Sequence, residues 1–278
     1  MAAARRIALP VRVIRPGGIT RNPDMDLTGT TVLVTGATRG IGRALCERLA
    51  AEPLGTLLAG VRDPGSFAPL GDARPVEMDL SSRESIDACA SRLPDVDVLV
   101  NNAGRMTGGL LEEQDLDEVY AMFQVNLVAV AHLTGRLLPG MVSRGRGLVV
   151  NNASISGYAA FPAASTYAAS KAGVVSLSES LRRELRGTGV EVMHLVTPGV
   201  RTDMLDDTEA VYGRHMDTSG WGSVEPAEWA DKVVRAMKAG DDVVGPGGRL
   251  AFAKLASRGP AGLLDKVSAR MFSRTPRD

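Results

Sequence analysis

The sequence predicts an α/β protein with a mostly parallel sheet, and three features carry that prediction. The run TTVLVT at 30–35 is short, apolar and β-branched without alternation, as expected of a strand buried on both faces. A glycine-rich turn, and then a helical pattern through Leu45, Leu49 and Ala50, follow it directly. Comparable apolar runs recur at 57–61, 75–80, 96–100, 147–154 and 190–196, with helical segments between them and a short last strand at 242–245.

Composition narrows the class. A chain of 278 residues fits one large α/β domain or two small ones, and 44% hydrophobic residues are ample for a core. Its 32 basic and 32 acidic residues balance, which gives no reason to expect nucleic acid as a partner. No apolar run approaches the roughly 20 residues of a membrane-spanning helix. Cys46 and Cys89 are too few for a disulfide framework or a zinc site, and His132, His194 and His215 have no metal-ligand spacing. These bounds point to a soluble cytoplasmic protein without a structural metal. Residues 1–24 hold five arginines and one acid and are broken by Pro10, so they read as a loose extension before a domain that starts at Met25.

The turn after the first strand reads Gly36-Ala37-Thr38-Arg39-Gly40-Ile41-Gly42. Glycines allow a tight turn and close backbone approach, and the next helix aims its first amides at an anion. The spacing differs by one residue from the general dinucleotide fingerprint, yet strand before and helix after favour pyrophosphate binding over an empty turn. At the end of the second strand the fingerprint expects an acid for the ribose 2′-hydroxyl. Here Gly60, Val61 and Arg62 stand there, with no acid until Asp63. Arg39 and Arg62 suit a 2′-phosphate, because guanidinium binds phosphate bidentately; the plainer reading is two solvated loop arginines.

Asp79, with Leu80 beside it, ends the third strand and has two readings. It accepts from an adenine amino group, or it caps the helix that runs to about Leu93, a task Ser81 or Ser82 could also take. The fourth strand opens into Asn101-Asn102-Ala103-Gly104, at the edge where ligands sit in open α/β sheets. The helical pattern over 115–138 carries Asn126, an indifferent helix former that must find partners if buried. Tyr167 and Lys171 lie four apart in a helix expected at 166–185, so phenol and ammonium share one face. An ammonium favours the phenolate and draws the phenol's pKa toward neutrality, making the pair a candidate acid/base unit beside Ser154. Taken alone, Tyr-x-x-x-Lys is more often a half-buried tyrosine with a solvated lysine.

The sixth strand leads into Thr197-Pro198-Gly199, and His194 within it reads as structural. Residues 200–222 break the alternation of strand and helix and suit a substrate lid, before a helix at 225–238. The tail at 249–278 has seven basic residues to two acids, with Leu264, Val267, Met271 and Phe272 at helical spacing. A subunit contact or pocket rim is preferred for it over a membrane-surface segment.

Together, TGATRGIG at 35–42, NNAG at 101–104, Asn126, Ser154, Tyr167, Lys171 and Pro198-Gly199 resemble the classical short-chain dehydrogenase/reductases, in order and spacing from about Leu27 to Val244. The resemblance implies a single Rossmann-type, doubly wound domain, here 25–248, with a mostly parallel seven-stranded sheet. It implies that Tyr167 is the general acid/base and that Lys171 lowers its pKa and binds the nicotinamide ribose. Ser154 would orient the substrate oxygen, and Asn126 would hold a water in a proton relay to Lys171. Arg39, just before the second glycine, implies NADP in preference to NAD. Cofactor contacts carry over to Gly36, Thr38, Arg39, Gly40, Ile41, Gly42, Arg62, Asp79, Leu80, Asn102, Ala103, Gly104, Tyr167, Lys171, Pro198, Gly199 and Thr202. Two positions depart from the pattern. Thr202 follows Gly199 by three residues where the family often has four, which puts its carboxamide contact in doubt. Ala153 replaces the first Ser of the usual pair, leaving Ser154 as the candidate and Ser156 as a poorer one.

The leading expectation is an NADP(H)-dependent oxidoreductase of a ketone, aldehyde or secondary alcohol. The likeness suggests a homodimer or homotetramer formed through the helices at 115–138 and 166–185. The alternatives are a non-catalytic dinucleotide sensor or scaffold, and a membrane-surface reductase of a lipid-like carbonyl.

Overall fold

The apolar runs become strands, and crossover connections, most of them helical, return the chain to the same edge, which forces parallel pairing. The computed structural model describes residues 25–216 and 222–247, so the expected extension at 1–24 and the basic tail at 249–278 lie outside the described residues. In chain order the first elements are β1 (Thr31–Thr35), α1 (Gly40–Leu49), β2 (Thr56–Val61), β3 (Arg74–Glu77), α2 (Arg83–Ala90) and β4 (Val98–Asn101). Next come α3 (Leu116–Phe123), α4 (Ala129–Arg144), β5 (Gly147–Asn152), α5 (Ser165–Glu184) and β6 (Val190–Leu195). The last are β7 (Gly199–Val200), α6 (Asp203–Tyr212), β8 (Ser223–Val224), α7 (Pro226–Lys238) and β9 (Val243–Val244).

Seven strands form one sheet in the order β3-β2-β1-β4-β5-β6-β9, and every neighbouring pair is parallel. Among the described residues, β7 and β8 pair only with each other. Winding reverses between β1 and β4, the point at which a cleft opens at the carboxyl ends of the strands. Alternate strand residues separate two cores. Val32, Val34, Val98 and Val100 pack with Leu45 and Leu49 of α1 and Val233 and Met237 of α7. Leu33, Leu99, Val149 and Val192 face the other way, against Ile86 of α2 and Leu133 and Met141 of α4.

The structure differs from expectation where side chains override periodicity. The helix expected at 115–138 is α3, one π-helical turn at Gln124–Val128, and α4, which runs on to Arg144. The whole run Leu116–Arg144 is, by length and composition, apolar enough to cross a membrane, contrary to the sequence reading. Its Ala129, Leu133 and Met141 instead belong to the core on one face of the sheet. β5 ends at Asn152 rather than 154, because the Ser154 hydroxyl accepts from the Ser156 N–H and starts a tight turn. The expected lid at 200–222 is not irregular throughout: α6 occupies Asp203–Tyr212, and β7 pairs with β8 beside it.

Candidate active site

The glycine turn is shaped by close contact. Gly36 has φ +68°, a left-handed conformation that disfavours a side chain, and a Cβ there would come within 2.9 Å of the Ala103 Cα. A Cβ on Gly42 would meet the Gly36 carbonyl oxygen and the Asn102 amide nitrogen. The turn is therefore pressed onto the residues that follow β4. α1 begins at Gly40 without any side-chain cap, so its first amides remain available to an anion.

An amide ladder stitches the strand ends together. The Thr35 hydroxyl accepts from the Asn102 and Ala103 N–H groups at 3.0 and 3.1 Å. The Asn152 side chain donates to Asn102 Oδ1 at 3.0 Å and accepts from the Thr197 hydroxyl. One step back, Asn101 donates to Thr134 and Asn151, and Asn151 to Ser178. Over this platform lies a cavity of about 1140 Å³, lined by every expected cofactor residue from the glycine turn to Thr202, and by Ser154, Tyr167 and Lys171.

Lys171 is buried, and its ammonium donates to the Asn152 carbonyl at 2.8 Å. It lies 5.9 Å from the centroid of the Tyr167 ring. Burial pulls its pKa down to about 8. Tyr167 is half-buried. Its phenol is pushed above the ordinary value by burial, opposed by a hydrogen bond with the Ser154 hydroxyl. The sequence reading had the ammonium drawing the phenol down. Here burial outweighs everything else, and Ser154 is the group that opposes it.

Asn126 stands behind the cavity wall in the π-helical turn. Its Oδ1 accepts from the Arg105 N–H at 2.8 Å, and its Nδ2 donates to the Arg105 carbonyl and the Ser170 hydroxyl at 2.9 and 3.1 Å. The side-chain amide thus braces Arg105 beside Gly104, and a Cβ on Gly104 would lie 3.3 Å from Asn126 Oδ1 and 3.6 Å from Lys171 Nζ. Asp79 is not the helix cap. Its carboxylate accepts from the Ser81 N–H and hydroxyl, which hold its pKa down, while Ser82 caps α2. Asp63 is turned away to accept from the Gly65 N–H, so no carboxylate from the end of β2 faces the cavity. Arg39 pairs with Asp203 at 2.9 Å, both side chains exposed. Thr202 packs its methyl side against Gly40, and its hydroxyl donates to the Val200 carbonyl at 3.2 Å. His194 is buried, with Nε2 2.7 Å from the Tyr158 hydroxyl and Nδ1 3.2 Å from Arg182, as a structural histidine should be.

The sequence profile of the short chain dehydrogenase family matches residues 30–212. The chain belongs to the short-chain dehydrogenase/reductase family. It is 35% identical over 226 residues to the ketoacyl reductase HetN of Nostoc sp., covering 76% of each protein. It is 34% identical over 189 residues to the 3-oxoacyl-[acyl-carrier-protein] reductase FabG of Haemophilus influenzae, covering 65% of this chain and 78% of that one. A short chain dehydrogenase from Burkholderia cenocepacia J2315, solved in complex with NADP, superposes with a TM-score of 0.77 at 27% identity, covering 88% of this chain and 99% of that one.

In this short-chain dehydrogenase/reductase, sequence reasoning missed Thr35, Asn152, Thr197 and Ser170. A signal for Asn152 was present: Asn-Asn ends both β4 and β5, and the strands pair with Asn101 opposite Asn151. Such a repeat on adjacent strand ends marks a shared polar ladder. Gln114 was missed as well. It accepts from the Thr166 hydroxyl and donates to the Gly109 carbonyl at 2.9 Å, tying the start of α5 to the loop after β4.

Proposed function

We propose that the protein is an NADP(H)-dependent oxidoreductase that interconverts a carbonyl and a secondary alcohol. The observation that carries this reading is the convergence of Ser154, Tyr167 and Lys171 in one cavity with the glycine turn. The cavity fits a dinucleotide on its own terms: uncapped amides at the start of α1, glycines pressed to backbone contact, and room for cofactor and substrate together. Arg39 and Arg62 line it where no β2 carboxylate competes, which favours a 2′-phosphate. Bound there, the nicotinamide supplies hydride to the carbonyl carbon or takes it from the alcohol.

The chain's own residues handle the proton. Burial keeps Tyr167 as the neutral phenol, the form that donates to the oxygen of a carbonyl under reduction. As that proton leaves, the Ser154 hydrogen bond and the Lys171 ammonium stabilise the phenolate. The Asn152 carbonyl holds the Lys171 ammonium, and Asn126 braces Arg105 and Ser170 next to it. A non-catalytic sensor would gain nothing from burying an ammonium that is costly to desolvate. Exposed Leu116 and Tyr120 on α3 and Val128 in the π-helical turn support self-association through that face, which light scattering would report.

The test is NADPH oxidation with a panel of carbonyl compounds. Tyr167→Phe should lower kcat by about 10²- to 10⁴-fold while NADPH still binds. Equal rates for variant and wild type would remove the catalytic assignment.

A further inference from the structure

The cavity's wall beyond the Ser154–Tyr167 pair is built from three segments that lock together. Met106, Phe161 and Tyr212 line it, and they pack with Ala163, Ala164 and Met216 as one apolar cluster. Tyr212, at the end of α6, lies so close to the loop after β4 that a Cβ on Gly108 would collide with its ring and with the Ala163 carbonyl. The Gly109 N–H donates to that same carbonyl at 2.8 Å. Ala163 itself has φ +60°, a left-handed conformation that carries strain in a residue with a Cβ, and the cluster holds it there. Tyr212 is buried near Tyr167, and burial, reinforced by the Tyr167 phenol, pushes its own phenol above the ordinary value.

Two of the arginines at the cavity are already paired with acids. Arg105 and Arg201 both line it, but Arg105 pairs with Glu118 and Arg201 with Glu225 at 2.9 Å. A substrate carboxylate arriving at the apolar wall would have to displace an acid or stay uncompensated, and an uncompensated buried charge is strongly disfavoured.

We propose that the carbonyl substrate of this site carries an uncharged apolar group next to the reacting carbon, and that Tyr212 sets the shape of the pocket receiving it. This rests on the oxidoreductase reading above and narrows it. Polyol and carboxylate-bearing carbonyls are the classes this wall excludes.

The test compares acetophenone with benzoylformate, which replaces the methyl group by a carboxylate, and with dihydroxyacetone, using the full-length protein and NADPH. Acetophenone should show kcat/KM at least tenfold above either competitor, the scale on which pocket contacts discriminate. Tyr212→Ala should lower that preference by about tenfold, mainly through KM, while Tyr212→Phe, which keeps the ring, should retain it. Because Tyr212 is buried and its loss could unfold the chain, Met106→Gln provides a second alteration of the same wall at a partly buried position. It should also weaken the preference, with thermal melting checking that the fold is intact. Turnover of benzoylformate or dihydroxyacetone equal to or above that of acetophenone would overturn the proposal, as would a preference untouched in both folded variants. Calorimetric binding of the same three compounds separates this inference from its parent. Acetophenone bound and benzoylformate not, with no NADPH oxidised on any carbonyl, would sink the oxidoreductase reading while supporting the apolar pocket.

Discussion

Replacing Lys171 by Met should stabilise this protein at neutral pH while removing its activity. Lys171 is 4% exposed, and burial moves its pKa from 10.5 to about 8. At 1.36 kcal/mol per unit, the shift corresponds to roughly 3 kcal/mol against the folded state. The folded value lies below the unfolded one, so between about pH 8 and pH 10.5 the unfolded chain binds more protons. Stability therefore rises with pH across that window, and the full penalty is present below pH 8. Met preserves the buried stem but leaves the Asn152 carbonyl without its donor, a loss of about 1 kcal/mol. The net gain at pH 7 is then about 2 kcal/mol, or about 4–8 °C in Tm. Urea or thermal unfolding at pH 7 and pH 10 would measure it. The variant should be the more stable protein at the lower pH and lose that advantage at the higher. A variant less stable than wild type at pH 7, or two proteins with the same pH slope, would refute the reasoning.

Four further outcomes follow from the site. Ser154→Ala removes the hydrogen bond that opposes the rise in the Tyr167 pKa and should lower kcat by about 10²- to 10³-fold, with NADPH affinity nearly unchanged in a fluorescence titration. Arg39→Ala should weaken NADPH binding at least tenfold and NADH binding far less, since a charge-assisted phosphate contact is lost only with the former. Asp203→Asn should act oppositely, freeing Arg39 from an exposed pair and strengthening NADPH binding by at most about fivefold. Gly42→Ala places a methyl against the Gly36 carbonyl and the Asn102 amide, neither of which can give way freely, and should destabilise the fold by about 1–3 kcal/mol while abolishing measurable NADPH binding.

Much of the fold was legible because local signals and global architecture agree here. Unbroken β-branched runs can satisfy their hydrophobicity only inside a parallel sheet, and the glycines at 36, 40 and 42 suit the turn that the strand-to-helix crossing needs. That Ser154, Tyr167 and Lys171 line one cavity was legible because spacing put two of them on one helical face and the third just past the end of a strand.

Other features depended on contacts between residues far apart in the chain, which periodicity cannot report. The Asn126 amide meets Arg105 and Ser170, partners that no spacing in the sequence announces. Whether burial or a neighbouring ammonium governs the Tyr167 phenol is a competition between desolvation and distance, and both are properties of the packed cleft. Arg39 meeting Asp203, and Tyr212 folding onto Gly108 and Ala163, likewise arise only when α6 comes back over the sheet edge. By itself the sequence determined the parallel sheet, the glycine turn and the types of reactive group, because these follow from local propensity and chemical necessity. Only the tertiary structure decided how those groups are solvated and partnered, because burial and hydrogen bonding depend on which distant segments the fold brings together.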